Sequence, residues 1–318
     1  MKRQKKILIT GGAGFIGSQL ADYFLLKEYE VLVIDNLSWG KKLYFEHNLN
    51  NKNYKFVKLD LLNKKDLTSL ELENIDTVFH LAANSDISRS AKDPKIDLNN
   101  TTIVTFNLLE KMRNCGIKKI FYFSGSGVYG DVGNKYTSEK FGPLCPVSMY
   151  GATKLSAEAM ISAYVNLFDM KAWILRPANI IGPRATHGVI FDFINQLKKH
   201  KNYLKILGDG KQSKSYLYVE DVIKAVDLVW NKANKKINIF NIASNSFISV
   251  TEIANEILKQ MKLKNTEVEY TGGNIGWKGD VPVVRIDNHK INKLGWKVKY
   301  SSKQAVSHTI GELLKNEV

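Results

Sequence analysis

Cysteine is scarce: Cys115 and Cys145 are the only two in 318 residues. No Cys/His spacing of the zinc type accompanies them, so neither a disulfide framework nor a metal site is expected, and a reducing compartment fits. Long apolar runs are missing too, and none approaches the roughly 20 residues needed to cross a bilayer. The start, Met1–Lys6, is basic, but the apolar run behind it, Ile7-Leu8-Ile9, is too short for the core of a secretion signal. A cytoplasmic protein with no membrane partner is expected. Arginine is sparse as well. Of 46 basic residues only Arg3, Arg89, Arg113, Arg176, Arg184 and Arg285 are arginine. Arginine is the usual reader of bases and bidentate phosphates. The net charge of +15 therefore reads as a lysine-coated, solvated surface or as steering of a small anion. Nucleic acid is not an expected partner. Internal repeats and low-complexity segments are also missing.

What is present is ordinary globular composition, 44% hydrophobic and 24% charged. In the first half, short β-branched runs alternate with helical patterns. The strand candidates are 6–10, 30–34, 54–59, 77–81, 119–123 and 172–175, and the helical patterns are 16–27, 101–114 and 150–168. Apolar strands joined by helices imply a parallel sheet covered on both faces, the doubly wound α/β class. After Arg176 the rhythm changes. A helix is expected over 189–199, a strand and helix over 216–230, a strand over 237–242 and a helix over 250–261. The tail from Tyr270 is rich in glycine and reads as loop. The second half is expected to form a smaller lobe.

The first strand runs into Gly11-Gly12-Ala13-Gly14-Phe15-Ile16-Gly17. Gly11 permits the tight turn, Gly14 lets the main chain approach a pyrophosphate at the helix N-terminus, and Gly17 lets helix and strand pack closely. Asp35 ends the next strand, where a carboxylate accepts from the adenosine ribose and repels a 2′-phosphate, so NAD is the expected cofactor. Asp60 and Leu61 end the third strand and would flank the adenine. Tyr150 and Lys154 lie four apart, on one face of a helix. A neighbouring ammonium favours the phenolate, which would make Tyr150 a usable base near neutral pH.

In order along the chain, Thr10–Gly17, Asp35-Asn36, Asp60-Leu61, His80-Leu81-Ala82-Ala83, Val128-Tyr129-Gly130, Tyr150-x-x-x-Lys154, Arg176-Pro177-Ala178-Asn179, Gly182-Pro183-Arg184, Gly208-Asp209-Gly210 and Tyr218-Val219-x-Asp221-Val222 resemble the extended short-chain dehydrogenase/reductase superfamily. The branch is that of the nucleotide-sugar epimerases and dehydratases, and the likeness covers nearly the whole chain. It implies a Rossmann domain over 1–181 that binds NAD, with a chain return near 215–245, and a nucleotide-sugar lobe formed mainly by 182–318. It adds Phe15, Ile16, Asn36, Leu81, Ala82, Ala83 and Pro177 to the cofactor residues and makes Tyr150 the base, with Lys154 holding the nicotinamide ribose. The implied activity is a 4-epimerase of the UDP-glucose/UDP-galactose type, working by transient oxidation and hydride return. The alternatives are a 4-dehydrogenase, such as one acting on a heptose, and a non-catalytic NAD-binding protein.

Many family members carry Ser or Thr four residues before the Tyr of Val-Tyr-Gly. Here that position is Gly125, flanked by Ser124 and Ser126. Some epimerases have the hydroxyl five residues before, which implies Ser124 as the catalytic hydroxyl, with Ser126 as the alternative. Dehydratases of the family carry an Asp-Glu pair and decarboxylases a Glu in this loop, where this chain has Ser126 and Gly127. For the substrate, the resemblance implies Ser85 with Asp86 and Arg89, Ser126, Asn179, the helix start at Val189, and Lys214, Tyr216, Trp277 and Asp280. Lys214 and Trp277 stand where arginine is common, and Ser215 where aspartate is common. Thr101 replaces a common asparagine. UDP is the first expectation for the nucleotide, GDP the second. Cys145 reads as an inert loop residue. A homodimer is implied through helices 101–114 and 150–168, with Ile103, Phe106, Leu109, Met160, Ala163, Tyr164 and Leu167 as apolar contacts.

Overall fold

The computed structural model describes residues 5–84, 90–277 and 279–315. The chain forms two compact units. One comprises Met1–Gly125, Met149–Arg176 and Val226–Phe240, the other Ser126–Ser148, Pro177–Ala225 and Asn241–Val318.

Seven strands make the central sheet: β1 (Lys6–Thr10), β2 (Glu30–Asp35), β3 (Tyr54–Lys58), β4 (Ile75–His80), β5 (Lys119–Phe123), β6 (Lys171–Pro177) and β7 (Ile237–Ile242), in the order β7-β6-β5-β4-β1-β2-β3. Adjoining strands from β6 to β3 pair in parallel. Side chains alternate across a strand, so register sorts the apolar residues onto two faces. Leu32, Leu8, Val78, Ile120 and Ala172 form one row. They pack with Leu108, Leu109 and Met112 of helix α2 (Val104–Asn114) and Ala157, Ile161 and Val165 of helix α3 (Met149–Leu167). The opposite row is Ile9, Phe79, Phe121 and Trp173. Phe24 of helix α1 (Phe15–Leu26) stands 4.9 Å from Phe79, and Trp230 stands 5.2 Å from it, edge-on. Each such ring pair is worth about 0.5–1.5 kcal/mol beyond its buried area. The strand order reverses between β4 and β1, and a doubly wound sheet opens its ligand crevice at the carboxyl ends there.

The helix expected from Thr101 begins earlier and changes pitch. A turn at Lys95–Asp97 leads into a π-helix, Leu98–Ile103, and then into α2. The wider turn brings Asp97, Thr101 and Thr105 inward together, all buried.

In the second unit, helices α4 (Val189–Lys199), α5 (Val250–Gln260) and α6 (Ser302–Lys315) bury Ile190, Phe193, Leu197, Ile253, Ile257, Val306 and Ile310 in one core. Ser249 caps α5 with a full capping box to Glu252, worth about 1 kcal/mol. The expectation of a loop-rich tail is corrected here. Ala305, Val306, Thr309, Ile310 and Leu313 are buried at helical spacing, and the intervening Ser307, His308, Gly311 and Glu312 mask that pattern. No helix among the described residues is long and apolar enough to cross a membrane.

Candidate active site

The glycine turn joins β1 to α1. Gly11 sits at φ +70°, and a side-chain carbon there would meet the Ala82 amide nitrogen at 2.7 Å. A side-chain carbon at Gly17 would run into the Gly11 carbonyl oxygen, so only glycine lets α1 start this close to β1. Gly14 is the N-cap of α1 and offers no side-chain cap, and no acidic residue occupies the first turn. The first-turn amides, including those of Phe15 and Ile16, are left without intrahelical acceptors, at the positive end of the helix dipole.

Asp35 ends β2 beside this turn and is largely buried. Its carboxylate accepts from the amides of Ala13 (3.0 Å) and Leu37 (2.8 Å). Burial raises its pKa against those two bonds. Asn36 donates to Asp60 at 3.2 Å, which links the ends of β2 and β3, and Leu61 is buried behind them. The Leu81 amide donates to the Thr10 carbonyl at 3.1 Å and the Ala82 amide to the Thr10 hydroxyl oxygen at 3.3 Å.

His80, which the sequence offered only as part of a motif, holds this arrangement from inside. Thr105 donates to the Thr101 carbonyl at 2.6 Å, so its oxygen accepts from His80 Nε2 at 3.0 Å, while Nδ1 accepts from the Thr10 hydroxyl at 2.7 Å. That pattern assigns the neutral Nε2–H tautomer. Burial, with Lys154 adding to it, pushes the His80 pKa down to about 3. An unfolded histidine takes a proton near pH 6.5, while the folded one stays neutral to about 3. Its contribution to stability is therefore complete above pH 6.5 and is lost as pH falls towards 3, by about 2 kcal/mol at pH 5. Urea midpoints at pH 7.5 and pH 5 check this. His80→Gln should flatten the difference, and an unchanged difference would assign it to another group.

Tyr150 and Lys154 share one face of α3. Lys154 is buried and donates to the Phe123 carbonyl at 2.7 Å, with its ammonium 5.7 Å from the Tyr150 ring centre and 5.2 Å from that of Tyr122. Burial lowers the Lys154 pKa to about 8, against the carboxylates of Asp97 and Glu158. The expected lowering of the Tyr150 pKa is not what the chain alone produces. Burial, aided by Asp97, pushes it up to about 12. The ammonium is committed to a carbonyl and does not outweigh desolvation, so the phenol is protonated at neutral pH. Asp97 itself is fully buried. One of its oxygens accepts from Asn84 at 2.8 Å, and the other has no partner among the described residues.

Ser124, expected as the hydroxyl that meets the substrate, points elsewhere: it donates to Glu158. Arg176 grips the same carboxylate with Nε at 3.0 Å and Nη2 at 2.5 Å, and both side chains are buried. The residue whose side chain would face the Tyr150 hydroxyl is Gly125, with a Cβ position 3.2 Å from it. Sequence reasoning missed Glu158 in this role, although its place on the Tyr150 helix and the Arg176-Pro177 motif were both visible.

In the second unit, Asn179 and the buried Tyr216 lie side by side on paired strands. Burial raises the Tyr216 pKa to about 12, against the neighbouring Asn179 side chain. Lys214 and Asp280, expected to take phosphate and ribose separately, meet each other at 2.5 Å, and Asp280 also accepts from the Gly276 amide. Trp277 lies three residues before Asp280 and is partly buried. Val189 opens α4, whose N-cap Gly188 is at φ +98° and provides no side-chain cap. Arg285, not singled out from the sequence, stacks 3.8 Å over Phe247 and donates to the Ser213 carbonyl. Ser126 starts a short 3₁₀ turn in this unit, and Pro177 ends β6. Ser85, Asp86 and Arg89 lie outside the described residues.

Residues 7–243 match the NAD dependent epimerase/dehydratase family. The UDP-glucose 4-epimerase of Mycolicibacterium smegmatis is 32% identical, over 98% of this chain and 99% of that protein. The dTDP-D-glucose 4,6-dehydratase of Dictyostelium discoideum is 34% identical, over 80% of this chain and 62% of its own length. The crystal structure of UDP-glucose 4-epimerase from Thermotoga maritima with UDP-glucose superposes at a TM-score of 0.87, with 30% identity, 98% of this chain and 99% of that one covered. A glycine-cradled helix start, an acidic β2 end and a Tyr/Lys helix face occur here on a parallel seven-stranded sheet, and the sequence matches over three quarters of its length. The chain belongs to the NAD dependent epimerase/dehydratase family.

Proposed function

We propose that this enzyme is an NAD-dependent nucleotide-sugar 4-epimerase, with UDP-glucose and UDP-galactose as the first substrates to test. The observation that carries the reading is the Tyr150–Lys154 pair, held on one helix face by the Lys154 bond to Phe123. The loop after β5 adds to it. Ser126 and Gly127 supply no carboxylate to remove or deliver the proton that dehydration requires.

The first unit fits a dinucleotide. A side-chain carbon at Gly14 would meet only the Gly11 carbonyl oxygen, at 3.3 Å, so the front of α1 is clear for a pyrophosphate. Each Asp35 oxygen keeps a second lone pair after its amide bond, enough to accept the adenosine ribose hydroxyls. Asn36, Asp60 and Leu61 would border the adenine. Leu81, Ala82, Ala83, Pro177 and Lys154 would border the nicotinamide ribose. When bound, NAD supplies a reversible acceptor for the two electrons and the hydrogen of the C4–H bond, and a positive charge. Tyr150, protonated at neutral pH in the chain alone, would first have to give up its own proton under the added positive charge of bound NAD. As the phenolate it takes the C4 hydroxyl proton as the ketone forms, and returns it after the sugar has turned its other face. Lys154 counters the charge that develops on the phenol. Asn179, Val189, Lys214, Tyr216, Trp277 and Asp280 would hold the nucleotide sugar. The Lys214–Asp280 pair would have to open for Lys214 to take a phosphate.

The test is to incubate the protein with UDP-, dTDP-, GDP- and ADP-sugars, following the sugar by NMR and NADH by absorbance. Inversion at C4 without NADH supports the epimerase. Persistent NADH identifies a dehydrogenase, and loss of water a dehydratase.

The enzyme is also proposed to be a homodimer. Ile103, Phe106 and Leu167 are 38%, 45% and 72% exposed on the helices expected to pair, whereas Leu109 is fully buried and belongs to the core. Sedimentation equilibrium at micromolar concentration should give twice the chain mass, and a monomer mass overturns the proposal.

A further inference from the structure

The loop leaving β5 has two successive residues with opposite commitments. Ser124 is fixed twice: its amide donates to the Leu175 carbonyl at 2.9 Å, and its hydroxyl donates to Glu158. A serine hydroxyl has a single proton to donate, and here it points at a carboxylate already gripped by Arg176. Extended neighbours project in opposite directions. With Ser124 turned to Glu158, the Tyr150 side belongs to position 125. A Cβ at Gly125 would stand 3.2 Å from the Tyr150 hydroxyl oxygen and 3.5 Å from its Cε1.

We infer that Gly125 is the residue facing the reacting hydroxyl, leaving the Tyr150 phenol open to a secondary alcohol, and that Ser124 is a positioning residue acting through Glu158 and Arg176. This rests on the reading above that Tyr150 exchanges the sugar proton. The proton passes between the alcohol oxygen and the phenol oxygen, with no role for the Ser124 hydroxyl. A side chain at 125 would crowd the phenol oxygen and shift it unless the chain gave way.

The experiment compares Ser124→Ala, Gly125→Ala and Gly125→Ser in the full chain with NAD. Ser124→Ala should keep kcat within about threefold and leave both limbs of its pH profile in place, because a relay hydroxyl would contribute about 10²–10⁴-fold. Its melting temperature should fall by about 3–6 °C, since a bond to a charged group is lost. Gly125→Ala should keep its melting temperature and lose at least about tenfold in kcat, because displacing a reacting group by a fraction of an ångström is that costly. A second readout needs no substrate. The phenolate absorbance of Tyr150, taken as the difference from Tyr150→Phe, should titrate at lower pH in Gly125→Ser, whose new hydroxyl donates to the phenolate, and should be unmoved in Ser124→Ala. If no nucleotide sugar is turned over, the functional reading fails while the titration still decides this inference. A loss of 10²-fold or more in Ser124→Ala at unchanged melting temperature overturns it, as does a Tyr150 titration moved by Ser124→Ala. Should Ser124→Ala not fold, Ser124→Cys carries the same readouts at nearly the same volume.

Discussion

Tyr150→Phe is expected to lower kcat by about 10²–10⁴-fold, the usual contribution of a placed acid–base group, with NAD affinity and melting temperature almost unchanged. The reason lies in what the hydroxyl touches. It has no hydrogen-bond partner among the described residues, so its removal strands no donor or acceptor. The ring that lies under the Lys154 ammonium at 5.7 Å is retained, as is the Lys154 bond to Phe123. Calorimetric NAD titration and thermal melting should therefore report a normal protein while NMR of the sugar reports a stalled one. A variant that keeps a tenth of the activity would remove Tyr150 from the proton path.

The largest effect on stability should come from Glu158→Ala. Arg176, 4% exposed at its side chain, would lose the carboxylate it grips through two nitrogens. Breaking a buried pair from one side costs about 3–5 kcal/mol, enough to lower the melting temperature by about 10 °C. Ser124 would lose its acceptor in the same step. The double variant Glu158→Leu/Arg176→Met should recover most of the loss, because an apolar pair of similar volume carries no desolvation penalty. A double variant no better than Glu158→Ala would mean that the cost is one of packing, not of charge.

The parts of this enzyme that could be read from its sequence are those whose signal is local. The Gly11–Gly17 turn, the carboxylate at Asp35 and the i, i+4 spacing of Tyr150 and Lys154 each fall within a few residues, and the β-branched runs mark the strands because a sheet covered on both faces demands them. The hydroxyl question depended on a different scale. Whether Ser124 or Gly125 faces Tyr150 is a matter of one residue in an extended segment, where a single step exchanges the two sides. It is settled by Glu158, 34 positions away. The His80 bridge between Thr10 and Thr105 spans 70 and 25 positions and leaves no pattern in either segment. Tyr150 was read with its lysine neighbour but without the burial that raises its pKa, since burial is a property of the folded environment. The final helix was hidden for an ordinary reason: its apolar positions are diluted by Ser307, His308, Gly311 and Glu312.

The wide turn at Leu98–Ile103 makes helix length adjustable at one point. Removing a residue there would restore ordinary pitch and swing everything upstream by about 100°. Asp97 would rotate away from Asn84, while Thr105 and the rest of α2 kept their seats against the sheet. Relatives of this enzyme that differ by a single deletion in that stretch would carry the same Tyr/Lys helix and lack the buried carboxylate behind it, so their Tyr150 and Lys154 counterparts would titrate lower.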